Sequence, residues 1–136
     1  MKILLVDKDR DFLDQLSIRL YNYGYQTDFA ESVAAAEDRY MQSLNDQERI
    51  GLIIFDLDLT EQEADLVLKQ LRSMHPSDAP GGFQPVPVIF LTASAGVWFE
   101  SLDKRFDDFI VKPYDIVSLI KVVKSKMALF QERDHS

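Results

Sequence analysis

A chain of 136 residues is the size of one domain and carries enough apolar residues for one core. Its net charge of −8 argues against nonspecific nucleic-acid binding, which rests on neutralising phosphates, and its lack of cysteine excludes disulfides and thiolate metal sites and suits a cytoplasmic protein. No apolar run is long enough to span a membrane.

The opening MKILLVDKDRD turns acidic at once, which marks KILLV as a strand and not as a signal peptide. A continuous apolar run of this kind suits a strand covered on both faces. Phe12, Leu13, Leu16, Leu20 and Tyr23 then recur at helical spacing, with Gly24 placed as the residue after the helix end. YQTDF is a weak second strand. Ser32 caps a second helix with the stripe Val33, Ala36, Tyr40 and Leu44. GLIIF is the third strand, and Ala64, Val67, Leu68 and Leu71 mark the third helix. PVIFL and DFIV are the fourth and fifth strands, separated by a short irregular fourth helix over 94–104. Ile116, Leu119, Ile120, Val123, Met127 and Phe130 form the stripe of a long last helix within a domain spanning 1–130, and 131–136 is a polar tail. Whether an effector domain follows residue 136 is left open.

Five β/α units in this length give a three-layer α/β domain with a parallel sheet. In such sheets the ligand crevice lies at the carboxyl ends of the strands, near the switch in strand order. The polar residues that end the strands are chemically coherent. Strand one ends in Asp7, Lys8 and Asp9, strand three in Asp56, strand four in Thr92 and strand five in Lys112. Carboxylates with a hydroxyl and an ammonium are what phosphoryl chemistry with a divalent cation needs. Taken singly, each has an ordinary reading: Asp9 as a helix cap, Thr92 as a turn residue, Lys112 as a solvated lysine. His75 and His135 read as plain surface residues. Gly81 and Gly82, in the Pro/Gly-rich loop 75–87, enter the amino end of a strand and so lie away from the crevice. Of the adjacent Trp98 and Phe99, only one can face the core.

ILLVDKD, LIIFD, VIFLTAS and DDFIVKPYD, in this order, resemble the receiver domain of two-component response regulators over essentially the whole chain. The resemblance implies a doubly wound (βα)5 flavodoxin-like fold with strand order 2-1-3-4-5. It also implies that Asp56 is the phosphoacceptor, served by a sensor histidine kinase or a phosphotransfer protein. It implies that Asp7, Asp56 and the backbone carbonyl of Asp58 hold Mg²⁺, while the Asp58 side chain faces the phosphoryl group, where it could also offer the metal a substitute carboxylate. Thr92 would be the switch hydroxyl, Lys112 the phosphoryl-binding lysine in a cis bond to Pro113, and Phe109 the aromatic switch. Output would pass to a downstream target or effector domain through the fourth helix, fifth strand and fifth helix, without direct nucleic-acid or membrane binding. A domain of this kind is a signalling switch and not a turnover enzyme.

The chain departs from that pattern at Lys8, where the family has a second carboxylate, at Asp58, and at TEQEA, which replaces the usual proline and glycine. Lys8 would weaken Mg²⁺ by charge repulsion, unless it points outward, and could contact Asp56 directly. This raises an alternative, a pseudo-receiver that acts as an interaction module without phosphorylation. A remoter alternative comes from Asp56, Asp58 and Thr60, which match the D-x-D-x-T opening of haloacid dehalogenase-type phosphohydrolases. That chemistry needs a further acidic pair after the lysine, and only one helix follows Lys112.

Overall fold

The computed structural model describes residues 1–45, 47–56, 59–74, 86–93 and 107–135, with side chains through residue 128. Its elements are β1 (Lys2–Val6), α1 (Arg10–Asn22), β2 (Gln26–Ala30), α2 (Val33–Ser43), β3 (Ile50–Phe55), α3 (Glu61–Ser73), β4 (Val88–Thr92), β5 (Asp108–Val111) and α4 (Ile116–His135). The anticipated fourth helix over 94–104, with Trp98 and Phe99, lies outside the described residues, as do Asp58, His75, Gly81 and Gly82. The last helix is therefore α4, and it runs on to His135 through the segment read as a polar tail.

All strand pairings are parallel and the order is β2-β1-β3-β4-β5. Alternate residues of the inner strands feed two separate cores, as the two-residue repeat of a strand dictates. Ile3, Leu5, Leu52, Ile54, Ile89 and Leu91 join α1 and α4 on one face. Leu4, Val6, Ile53, Phe55, Val88 and Phe90 join α2 and α3 on the other. The helices supply the matching stripes: Leu13, Leu16 and Leu20 from α1, Ala64, Val67, Leu68 and Leu71 from α3, and Leu119, Ile120, Val123 and Met127 from α4. In α2 the inward positions are Ala36, Tyr40 and Ser43, while Val33 and Leu44 are only partly buried.

Local chemistry sets the helix ends. Asp9 caps α1, its Oδ1 accepting from the N–H groups of Asp11 and Phe12 at 3.0 and 3.3 Å. Gly24 follows the end of α1 at φ 92°, a left-handed conformation that favours glycine. Thr60 and Glu63 form a reciprocal capping box at the start of α3, each side chain accepting from the other's backbone N–H. Asp115 accepts the Ser118 N–H at 2.8 Å at the start of α4.

The amino end of the sheet is closed by a buried ion pair with no sequence-level signal. Asp107, fully buried ahead of β5, accepts from Arg72 of α3 at 2.5 Å and from the backbone N–H of Val88 at 3.0 Å. Asp107→Ala leaves a mostly buried guanidinium without its carboxylate and a buried N–H without its acceptor, so it should lower unfolding stability by about 3 kcal/mol in urea titrations. Thr60→Ala, on the exposed face, should cost about 1 kcal/mol. Equal losses would show that burial does not decide the energetics at these two sites.

Candidate functional site

The site follows from register. Val6 of β1 lies opposite Phe55 of β3, so the residues that follow each, Asp7 and Asp56, leave the sheet side by side. Backbone hydrogen bonds fix both: Asp56 N–H donates to Val6 O at 2.7 Å, and Asp7 N–H to Ala30 O at 3.1 Å. The strand order reverses between β1 and β3, since β2 lies on one side of that pair and β4 on the other. The two carboxylates thus stand at the switch point of a doubly wound sheet, where ligand crevices form.

Lys112 follows β5, two strands away, and its backbone N–H is held by Thr92 O at 2.7 Å. Its side chain reaches back past the end of β4, and Nζ makes an ion pair with Asp56 Oδ1. The ammonium also sits 5.9 Å from the centroid of the Phe12 ring. Asp7, Lys8, Asp9, Asp56, Thr92 and Lys112 all line this one crevice. The peptide bond between Lys112 and Pro113 is cis. Phe109 lies in β5, paired in register with Phe90 and packed against the core on the α2/α3 face.

Of the two arrangements open to Lys8, contact with Asp56 or an outward position, the structure has the exposed one. Asp7 Oδ1 accepts the Asp9 N–H at 2.9 Å, and Asp9 in turn caps α1. Lys8 is the middle residue of that tight turn and is exposed, while the ammonium on Asp56 belongs to Lys112. Thr60, the threonine of the phosphohydrolase-like motif, is exposed and engaged in capping α3.

The pocket's electrostatics follow from burial. The Asp56 side chain keeps 9% of its exposure, and burial pushes its carboxyl up to about 6. The neighbouring Asp7 carboxyl adds to the rise, and Lys112 opposes it. Tyr114, also in the crevice, is pushed up to about 12 by burial and by the charge of Asp56. Sequence reasoning passed over Tyr114 and Phe12; the position of Tyr114 directly after Lys112–Pro113 was the available signal. Two adjacent carboxylates are hard oxygen donors that fit a magnesium ion retaining several waters. Among the described residues no third acidic or histidine side chain completes a cage.

Residues 3–124 match the family model of the response regulator receiver domain. The chain belongs to this family. Curated receiver-family relatives include the regulatory protein VanRc of Enterococcus gallinarum, 27% identical over 142 residues that cover 99% of this chain and 53% of that protein. The transcriptional activator protein IrlR of Burkholderia pseudomallei is 29% identical over 136 residues, covering 98% and 53%. The chain thus spans about half the length of these relatives. Among solved structures, the CheY-like receiver domain from Methanospirillum hungatei superposes with a TM-score of 0.71 at 17% identity, covering 96% of this chain and 97% of that one. The N-terminal domain of a three-domain protein from Carboxydothermus hydrogenoformans gives 0.70 at 21%, covering 99% and 100%. These likenesses establish the CheY-like, flavodoxin-type fold.

The raised Asp56 carboxyl has a stability consequence in metal-free protein. Unfolded, it ionises near its ordinary 3.8; folded, only near about 6. Ionisation therefore disfavours the folded receiver domain, a cost absent below about pH 4 and fully present above about pH 6. Asp56→Asn should raise unfolding stability by on the order of 2 kcal/mol at about pH 7.5 and leave it unchanged near pH 4, by urea titration with chelator present. A gain of the same size at both values would mean that ionisation of Asp56 is not its source.

Proposed function

We propose that this receiver domain is a phosphorylation switch of the cytoplasm in which Asp56 takes a phosphoryl group from the phosphohistidine of a sensor histidine kinase or phosphotransfer protein. The observation that supports this best is the position of Asp56 at the switch point, flanked by Asp7 and paired with Lys112. An Asp56 oxygen bonds to phosphorus as the phosphorus–nitrogen bond breaks. The imidazole nitrogen keeps that electron pair and takes a proton, and the product is an acyl phosphate. Lys112 leaves the carboxylate for the phosphoryl oxygens, and the Thr92 hydroxyl, at the end of β4, donates to them. Asp7, Asp56 and the backbone carbonyl of Asp58 would hold a magnesium ion, whose charge offsets that of the phosphoryl oxygens.

The switch follows from the attachment of Lys112 to β5. A new partner for Lys112 alters the carboxyl end of the strand that carries Phe109, and Phe109 turning inward changes the surface formed by β5 and α4. A downstream target or an effector domain would bind there. Lys8, exposed where the family has a second carboxylate, favours the competing reading of a phosphorylation-independent interaction module.

Incubation with acetyl phosphate and Mg²⁺ should add one phosphoryl mass by intact-protein mass spectrometry, and Asp56→Asn should abolish it. No added mass over a wide range of Mg²⁺, nor with a cognate kinase, would leave the interaction module as the function.

A further inference from the structure

Besides Lys112, two cations line the crevice, Lys8 and Arg19, and Lys8 is the one next to Asp7 in the chain. Lys8 lines the crevice beside Asp7, is exposed, and forms no ion pair among the described residues. Arg10 is engaged with Asp14 and Glu31, Arg39 with Asp28, and Lys69 with Asp65. The backbone of Lys8 is held by the Asp7–Asp9 turn and the α1 cap, while its four-carbon stem is free to rotate. With both carboxylates ionised, Asp7, Asp56 and Lys112 leave the floor of the crevice with one net negative charge. An incoming phosphoryl dianion is repelled by that charge, and the chain as a whole, at −8, offers no general attraction. Lys8 is placed to cancel it.

We infer that Lys8 turns in over the incoming phosphoryl group and supplies positive charge to the transfer, so that Asp56 is phosphorylated with little dependence on magnesium. The inference rests on the reading of Asp56 as phosphoacceptor. With acetyl phosphate, the Asp56 oxygen forms its bond to phosphorus as the phosphorus–oxygen bond to the acetyl group breaks. Acetate leaves with the electron pair, and no oxidation or reduction occurs. The ammonium contacts phosphoryl oxygens that the repelling carboxylates do not, and it acts in the transfer, not in holding the resting pocket together. The same charge opposes a divalent cation at Asp7 and Asp56, so weak magnesium binding and magnesium-independent transfer are two effects of one residue.

The test measures the rate of phosphoryl mass gain from acetyl phosphate, with excess chelator and with saturating Mg²⁺, alongside Mg²⁺ binding by titration calorimetry. The wild-type domain should react at similar rates in both conditions. Lys8→Gln should slow the magnesium-free reaction roughly tenfold, less than the loss of about a hundredfold or more on removing a preorganised oxyanion donor, because Lys8 is exposed. Lys8→Arg should restore the rate. Lys8→Asp should bind Mg²⁺ more tightly and react only in its presence. Unchanged thermal unfolding of all three variants, expected for an exposed position, separates these effects from misfolding. Wild-type modification that requires Mg²⁺, or Lys8→Gln reacting like wild type in chelator, overturns the role of Lys8 and leaves the phosphoacceptor reading intact. No modification of wild type in any condition overturns both.

Discussion

The structure turns on the parallel pairing of β1 with β3. Their register sets Val6 against Phe55, and the next residue of each strand is an aspartate. Parallel strands with covered faces leave no freedom to slide, because a one-residue slip would exchange the two cores for each other. The core residues Leu4, Ile53 and Phe55 on one face and Leu5, Leu52 and Ile54 on the other therefore fix the carboxylates as firmly as they fix the fold. Chemistry at the crevice is a consequence of packing well below it.

Burying Asp56 beside a second carboxylate is electrostatically unfavourable, and its carboxyl is raised by burial first and by Asp7 second. The domain keeps this unfavourable arrangement because a sheet of buried aliphatic strands outweighs it. Lys112 relieves part of the repulsion, yet it is itself mounted on an edge strand of four residues. An ion pair between the central strand and the edge strand is thus also a mechanical tie across the sheet. Any group that neutralises Asp56 by another route releases that tie, which is how a charge at one atom becomes a change in the position of an edge.

Most of the architecture was legible because its signals are short-range. Continuous apolar runs marked the inner strands, the stripes in α1, α3 and α4 marked the helix faces, and Asp9 announced itself as a cap. Asp7, Asp56, Thr92 and Lys112 could be found as strand-end residues because a parallel sheet collects such ends on one rim. What was not legible depends on pairs far apart in sequence or on a side-chain direction. Arg72 and Asp107 are separated by 35 residues, and neither sits in a pattern that names the other. The Asp7–Asp9 hydrogen bond that holds the backbone of Lys8 in a tight turn has no mark in the sequence. The capping box in TEQE was readable and was obscured by the stronger attraction of the D-x-D-x-T pattern around it.

The clamp at the other end of the sheet bears on how this chain can vary. Arg72 and Val88 bound the stretch that links α3 to β4, and both are gripped by Asp107, which belongs to neither. The two ends of that connection are thus brought together by a third party, and its own residues need not do so. The entropy of closing it grows only with the logarithm of its length, about 0.6 kcal/mol for each doubling. Insertions and deletions there should accumulate among related chains as long as the arginine and the aspartate stay, making this connection a natural place for one receiver to diverge from another.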